Sequence, residues 1–174
     1  MASTLLIIDF QEEWRDKKSD YYLGQFKSQL RNASQLVDYF HEKKWPVIFT
    51  RHVEVGSTTA FAEGTKSTQL VSELNVGTTD PVLTKNKISP FYNTELEKIL
   101  RDQQPDELVI AGIMTNLCVR SAISDAYDRD YHIKAVTDAC VSDSAEVDRF
   151  TFKDLKKTRP DVEFVKTKEV IMTK

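Results

Sequence analysis

Short apolar runs of strand length alternate along this chain with segments of helical period, and that alternation limits the possible folds more than any other feature. The runs are Leu5–Ile8 ("LLII"), Pro46–Thr50 ("PVIFT"), Pro81–Lys85 ("PVLTK"), Glu107–Gly112 ("ELVIAG"), His132–Ala139 ("HIKAVTDA") and Val162–Lys166 ("VEFVK"). Between the first two, Phe26, Leu30, Ala33, Leu36, Val37 and Phe40 recur at helical spacing, which predicts a helix within Gly24–Lys44. Further helices are predicted over Thr94–Arg101, with Thr94 as N-cap, over Asn116–Arg129 and over Ala145–Lys157. The polar stretch His52–Thr79 reads as a long loop with a short helical piece near Gln69–Leu74. Nearly continuous apolar strands separated by helices imply a parallel sheet covered on both faces, an α/β fold.

The length, 174 residues, suits a single domain spanning 1–174, and no composition shift, repeat or proline-rich linker divides it. A net charge of −3 without asymmetry argues against a nucleic-acid partner, and the cluster "KDLKKTR" (Lys153–Arg159) reads as solvated surface. "MASTLLIIDF" is apolar for only four residues before Asp9, too short for a signal peptide or a membrane span. The two cysteines, Cys118 and Cys140, and three isolated histidines fit neither a disulfide framework nor a structural zinc site. The setting expected from these features is cytoplasmic and reducing, with free thiols, no membrane contact and no cofactor.

Ligands of open α/β sheets bind beyond the carboxyl ends of the strands. There the sequence places Asp9 after strand one, Arg51 and His52 after strand two, Lys85 at the end of strand three and, through "GIMTN", Cys118 after strand four. An acid, a cation and a thiol on one edge have the composition of a thiol hydrolase. Cys118 lies in the first turn of its helix, where unsatisfied N–H groups and the helix dipole favour a thiolate. It also borders the apolar stripe Val119, Ala122, Ile123, Ala126 and Tyr127, so a packing residue and a nucleophile are both open readings. Cys140, with no basic neighbour in sequence, reads as an inert core residue after strand five.

"LLIIDFQEEW", "LTKNKISPFYNTELEKIL" and "AGIMTNLCVRSAISDAY", in that order, resemble the isochorismatase-like cysteine hydrolase family, and "VTDAC" and "DRFTFKDLKKTRPDVEFV" are similar to its closing segments. The resemblance implies a three-layer α/β/α fold with a six-stranded parallel sheet of order 3-2-1-4-5-6. It implies an Asp–Lys–Cys triad, carried here onto Asp9, Lys85 and Cys118; the pattern Lys, three residues, Ser, one residue, Phe selects Lys85 over Lys87. It further implies a non-proline cis peptide between Ile113 and Met114, an oxyanion hole from the backbone N–H groups of Met114 and Cys118, and a homodimer or homotetramer.

The implied activity is hydrolysis of a small-molecule amide or carbamoyl compound through a covalent thioester. Two alternatives stand beside it: isochorismate-type vinyl-ether hydrolysis, and a silent oligomeric scaffold or binding protein. The nicotinamidases of the family carry an Asp-x-His pair and a further His that bind a metal; "TRHVEVGSTTAF" offers only His52 and Glu54, so no metal is expected. Trp14, His52, Phe61 and Phe91 are candidates for the pocket wall, and Arg51 is a further candidate for substrate contact. Pro90 and Asn93 depart from the family's usual small residue and glycine.

Overall fold

The computed structural model describes residues 3–172. Six strands, β1 (Ser3–Ile8), β2 (Val47–His52), β3 (Val82–Lys85), β4 (Glu107–Ile113), β5 (Ile133–Val141) and β6 (Glu163–Val165), form one parallel sheet of order β3-β2-β1-β4-β5-β6. The expected order and three-layer architecture are both present. Strand alternation divides the core. Leu5, Ile7, Val47, Phe49, Val109 and Ala111 face one layer, which holds α1 (Lys27–Glu42) and the short α5 (Thr167–Met172). Leu6, Ile8, Ile48, Leu108 and Ile110 face the other, which holds α2 (Leu96–Gln103), α3 (Arg120–Tyr127) and α4 (Ala145–Thr158). No helix among the described residues is long and apolar enough to cross a membrane.

Several boundaries differ from the sequence expectation. Regular hydrogen bonding of α2 begins at Leu96 with Glu95 at the N-cap; Thr94 still contributes, because its hydroxyl accepts the Leu96 N–H at 3.2 Å. The predicted piece near Gln69–Leu74 is two separate 3-10 turns, Lys66–Thr68 and Ser72–Leu74. Strand β5 runs on to Val141, so Cys140 lies within it and not after it. A register shift explains the extra length: Ile110 pairs with Ala135 but Gly112 with Cys140. The irregularity carries Asp138 to α1 and α5, where its carbonyl accepts from Asn32 Nδ2 at 2.7 Å and its carboxylate from Thr167 N and Oγ1 at 2.8 and 2.9 Å. Those bonds hold α5, which the sequence reading did not anticipate; six residues are too few for a periodic signal.

Strands β1 and β4 are neighbours, yet their crossovers run to opposite edges of the sheet. A crevice opens at such a reversal. The two strands also approach closely there. Gly112 sits opposite Ile8 at φ +153°, and a Cβ at this position would lie 2.4 Å from the Ile8 carbonyl oxygen. Only glycine fits.

Candidate active site

Asp9 leaves β1 in a left-handed conformation, φ 52°, which Asp tolerates better than most residues. Trp14 Nε1, from the 3-10 turn Glu12–Arg15, donates to the Asp9 carbonyl at 2.6 Å, and Thr50 Oγ1 donates to its Oδ1 at 2.7 Å. Lys85, the last residue of β3, lies across β2 with its Nζ 2.7 Å from Asp9 Oδ2; neither side chain has any solvent exposure. The same ammonium donates to Cys118 Sγ at 3.3 Å and to the Lys87 carbonyl at 3.1 Å. The ammonium thus donates two hydrogen bonds, to the sulfur and the Lys87 carbonyl, and pairs its charge with the Asp9 carboxylate.

Cys118 lies in a widened turn, Thr115–Val119, that precedes α3. The Met114 carbonyl accepts from both Leu117 and Val119, each at 3.1 Å; the second bond spans five residues and gives the turn its π-type width, a geometry often found at functional sites. The expected cis peptide joins Ile113 and Met114. Cys118 is half-buried, whereas Cys140 is 1% exposed and its thiol donates to the Val136 carbonyl at 3.3 Å.

The electrostatics modify the expectation of a resting thiolate. Burial first, and then the Asp9 carboxylate, push the Cys118 thiol up to about 12, against the opposing pull of Lys85. The resting sulfur is therefore a neutral thiol beside a carboxylate. Burial alone would lower the Lys85 ammonium, but Asp9 and Cys118 together raise it, so the lysine stays charged. Cys140 is also pushed up to about 12, mainly by burial. The two thiols differ in access, not acidity. Brief treatment of the native protein with limiting iodoacetamide is expected to alkylate Cys118 first, at a rate that rises from neutral to alkaline pH, with Cys140 modified only on unfolding. Peptide mass mapping checks this; labelling of Cys140 ahead of Cys118 would make Cys118 a core residue.

An aromatic wall adjoins Asp9. The rings of Trp14 and Phe61 lie 4.9 Å apart, His52 is 5.4 Å from Phe61, and Tyr21 covers Phe61 at 5.4 Å. Phe61 is held at φ 52°, uncommon for a bulky residue, with its N–H donating to the buried Glu13 at 3.4 Å. Gln11 is fully buried and clamps β2: its Oε1 accepts the His52 N–H at 2.7 Å and its Nε2 donates to the His52 carbonyl at 2.8 Å. Gln11, Glu13, Thr50 and Tyr21 were not among the sequence candidates. The signal for the first two lay in polar residues directly after an apolar strand; Thr50 carried none, because Thr is ordinary in a strand.

The wall candidate Phe91 and the contact candidate Arg51 lie outside this aromatic group. Phe91 packs into the layer of α2 and α3, with the Arg129 guanidinium 4.7 Å over its ring. Arg51 follows Thr50 and so points to the opposite side of the strand, where its Nε donates to Thr84 Oγ1 at 2.9 Å. His52 and Glu54 are bonded to each other at 3.2 Å, and among the described residues no group of three His, Cys, Asp or Glu side chains could hold a metal ion. The donor set does not fit a metal centre. Four side-chain atoms at this strand edge are buried without a hydrogen-bond partner: Asp9 Oδ2, which is ion-paired with Lys85, and His52 Nδ1, Thr115 Oγ1 and Asn116 Oδ1.

The sequence from residue 3 to residue 165 matches the Isochorismatase domain family. The chain belongs to the isochorismatase family. Nicotinamidase 3 of Arabidopsis thaliana is 25% identical over 166 residues, covering 88% of this chain and 80% of the plant protein. The ureidoacrylate amidohydrolase RutB of Methylorubrum extorquens is 42% identical over 78 residues, 45% of this chain and 32% of that protein. Among solved structures, an isochorismatase-like hydrolase from Alkaliphilus metalliredigens superposes with a TM-score of 0.89 at 18% identity, covering 98% of each chain. The isochorismatase-family fold thus extends over almost the full chain, and its strand edge carries the Asp9–Lys85–Cys118 cluster.

Proposed function

We propose that this protein hydrolyses the C–N bond of a small-molecule amide or carbamoyl compound, with Cys118 as covalent nucleophile, Asp9 as proton carrier and Lys85 as fixed counter-charge. The observation that carries the reading is the Lys85 ammonium, bonded at once to the Asp9 carboxylate and the Cys118 sulfur with no solvent exposure. Amidase relatives support the class of bond.

The chemistry starts from the neutral thiol. As Cys118 Sγ attacks the carbonyl carbon, its proton passes to Asp9, and Lys85 stabilises the negative charge on whichever partner carries it. The carbonyl π electrons move to oxygen, where the backbone N–H groups of Met114 and Cys118 receive the oxyanion. Collapse breaks the C–N bond; Asp9 returns the proton to the leaving nitrogen, and an acyl thioester remains on Cys118. Asp9 then takes a proton from water, hydroxide adds to the thioester, and the C–S bond breaks. The proton on Asp9 restores the thiol, and the acid leaves. A half-buried sulfur beside an otherwise buried pair admits a small substrate, and the unpartnered Thr115 and Asn116 oxygens suit the N–H groups of an amide or ureido compound.

Release of ammonia from a panel of small amides and ureido acids tests this. Cys118→Ala is expected to lower the rate by more than about a thousandfold while leaving the fold intact. Turnover that survives in Cys118→Ala would overturn the covalent mechanism, and release of pyruvate from a vinyl ether with no amide turned over would replace the substrate class.

A further inference from the structure

The segment that follows Lys85 is fastened to the helix that follows Cys118. Ser89 Oγ donates to Asp125 Oδ2 at 2.5 Å, and Ser121 Oγ donates to the same oxygen at 3.3 Å. The Phe91 N–H donates to Ser89 Oγ at 3.1 Å, which orients the hydroxyl. Arg129, one turn beyond Asp125, donates to the Asp125 carbonyl at 2.8 Å and lies over the Phe91 ring. Asp125 therefore joins two elements that each deliver a member of the cluster: Cys118 lies seven residues before it in the turn that begins α3, and Lys85 four residues before Ser89.

The connection bears on the ammonium directly. One of the three Lys85 donors is committed to the carbonyl of Lys87, an exposed residue in the bend that follows β3. Two residues later comes Ser89. If the Ser89 tether loosens, the Lys87 carbonyl shifts, and the lysine must rebalance its bonds to Asp9 and Cys118.

We propose that Asp125 is a positioning residue that acts through Ser89 to hold the 85–91 segment against α3, and so sets the Lys85 Nζ–Cys118 Sγ distance. It rests on the reading of Cys118 and Lys85 given above. Asp125 touches no reacting atom. Its function is to keep two elements from different crossovers in register where a small displacement costs rate steeply.

The test reads the sulfur itself. Asp9 from β1 and Lys85 from β3 are the charged groups that face Cys118, with opposite effects on its ionisation. Loss of the tether weakens the lysine's share, so the sulfur ionises less readily. In Asp125→Ala and in Ser89→Ala, the second-order rate of Cys118 alkylation by iodoacetamide at fixed pH is expected to fall about three- to tenfold, and the pH profile to move to the alkaline side. Asp125→Asn keeps an oxygen that accepts both hydroxyls and is expected to restore near-native labelling. The double variant Ser89→Ala/Asp125→Ala is expected to lose no more than either single change. Alkylation needs no substrate, so the measurement stands whether or not an amide is turned over. Native labelling rates and pH profile in folded Asp125→Ala, or additive losses in the double variant, would overturn the proposal; should Asp125→Ala fail to fold, the milder Ser89→Ala decides it by the same readout.

Discussion

Lys85→Met is expected to abolish hydrolysis and to lower the free energy of unfolding by about 3–5 kcal/mol, while Lys87→Met leaves both nearly unchanged. The two lysines stand two residues apart in "KNKISPF". Lys85 is buried with its charge against Asp9, and methionine in its place would leave a fully buried carboxylate with only the Thr50 hydroxyl beside it. Removing one partner of such a pair costs far more than the pair contributes, because the surviving group is left buried without its counter-charge. Lys87 contributes only its backbone carbonyl, which methionine retains. Adding Asp9→Asn to Lys85→Met should recover part of the stability and none of the activity, since the buried charge is gone but so is the proton carrier. Urea unfolding midpoints and ammonia release on the same preparations check all of this. Equal losses of activity in folded Lys85→Met and Lys87→Met would remove Lys85 from its assigned role.

Gly112→Ala is expected to destabilise the protein by about 3 kcal/mol or more and to reduce activity even in the fraction that folds. The added Cβ would lie 2.4 Å from the Ile8 carbonyl oxygen and 2.5 Å from the Ile8 Cβ, and φ of +153° is strained for any L side chain. Both obstacles come from a neighbouring strand in the centre of the sheet, so neither is relieved by rotating a flexible side chain. The strands that would have to separate are β1 and β4, which end in Asp9 and lead to Cys118. The change thus combines a folding defect with a displacement between proton carrier and nucleophile. Thermal unfolding, with activity expressed per folded molecule, separates the two effects. An alanine variant with native stability would mean that the strands part at little cost.

The amino-acid sequence by itself determined the strands, the parallel sheet and the edge at which an acid, a lysine and a thiol gather. Those features depend on period and on residue type at strand ends, which are local properties. The choice of Lys85 over Lys87 came from the family resemblance in "KNKISPF". What only the tertiary structure decided are quantities set by burial and by contacts distant in sequence. The Cys118 thiol is pushed up because desolvation and Asp9 outweigh Lys85, a balance that no local pattern records. Arg51 faces away from Thr50, and Phe91 packs in the core layer against which Cys118 also lies, because strand side and core layer, not proximity in the chain, decide which way a side chain faces. Gln11 and Thr50 entered the site because their partners, His52 and Asp9, lie 41 residues away along the chain and adjacent only across the sheet. The terminal helix and the extended β5 depend on one register shift that carries Asp138 to them, and a register between strands is a property of the sheet rather than of either strand.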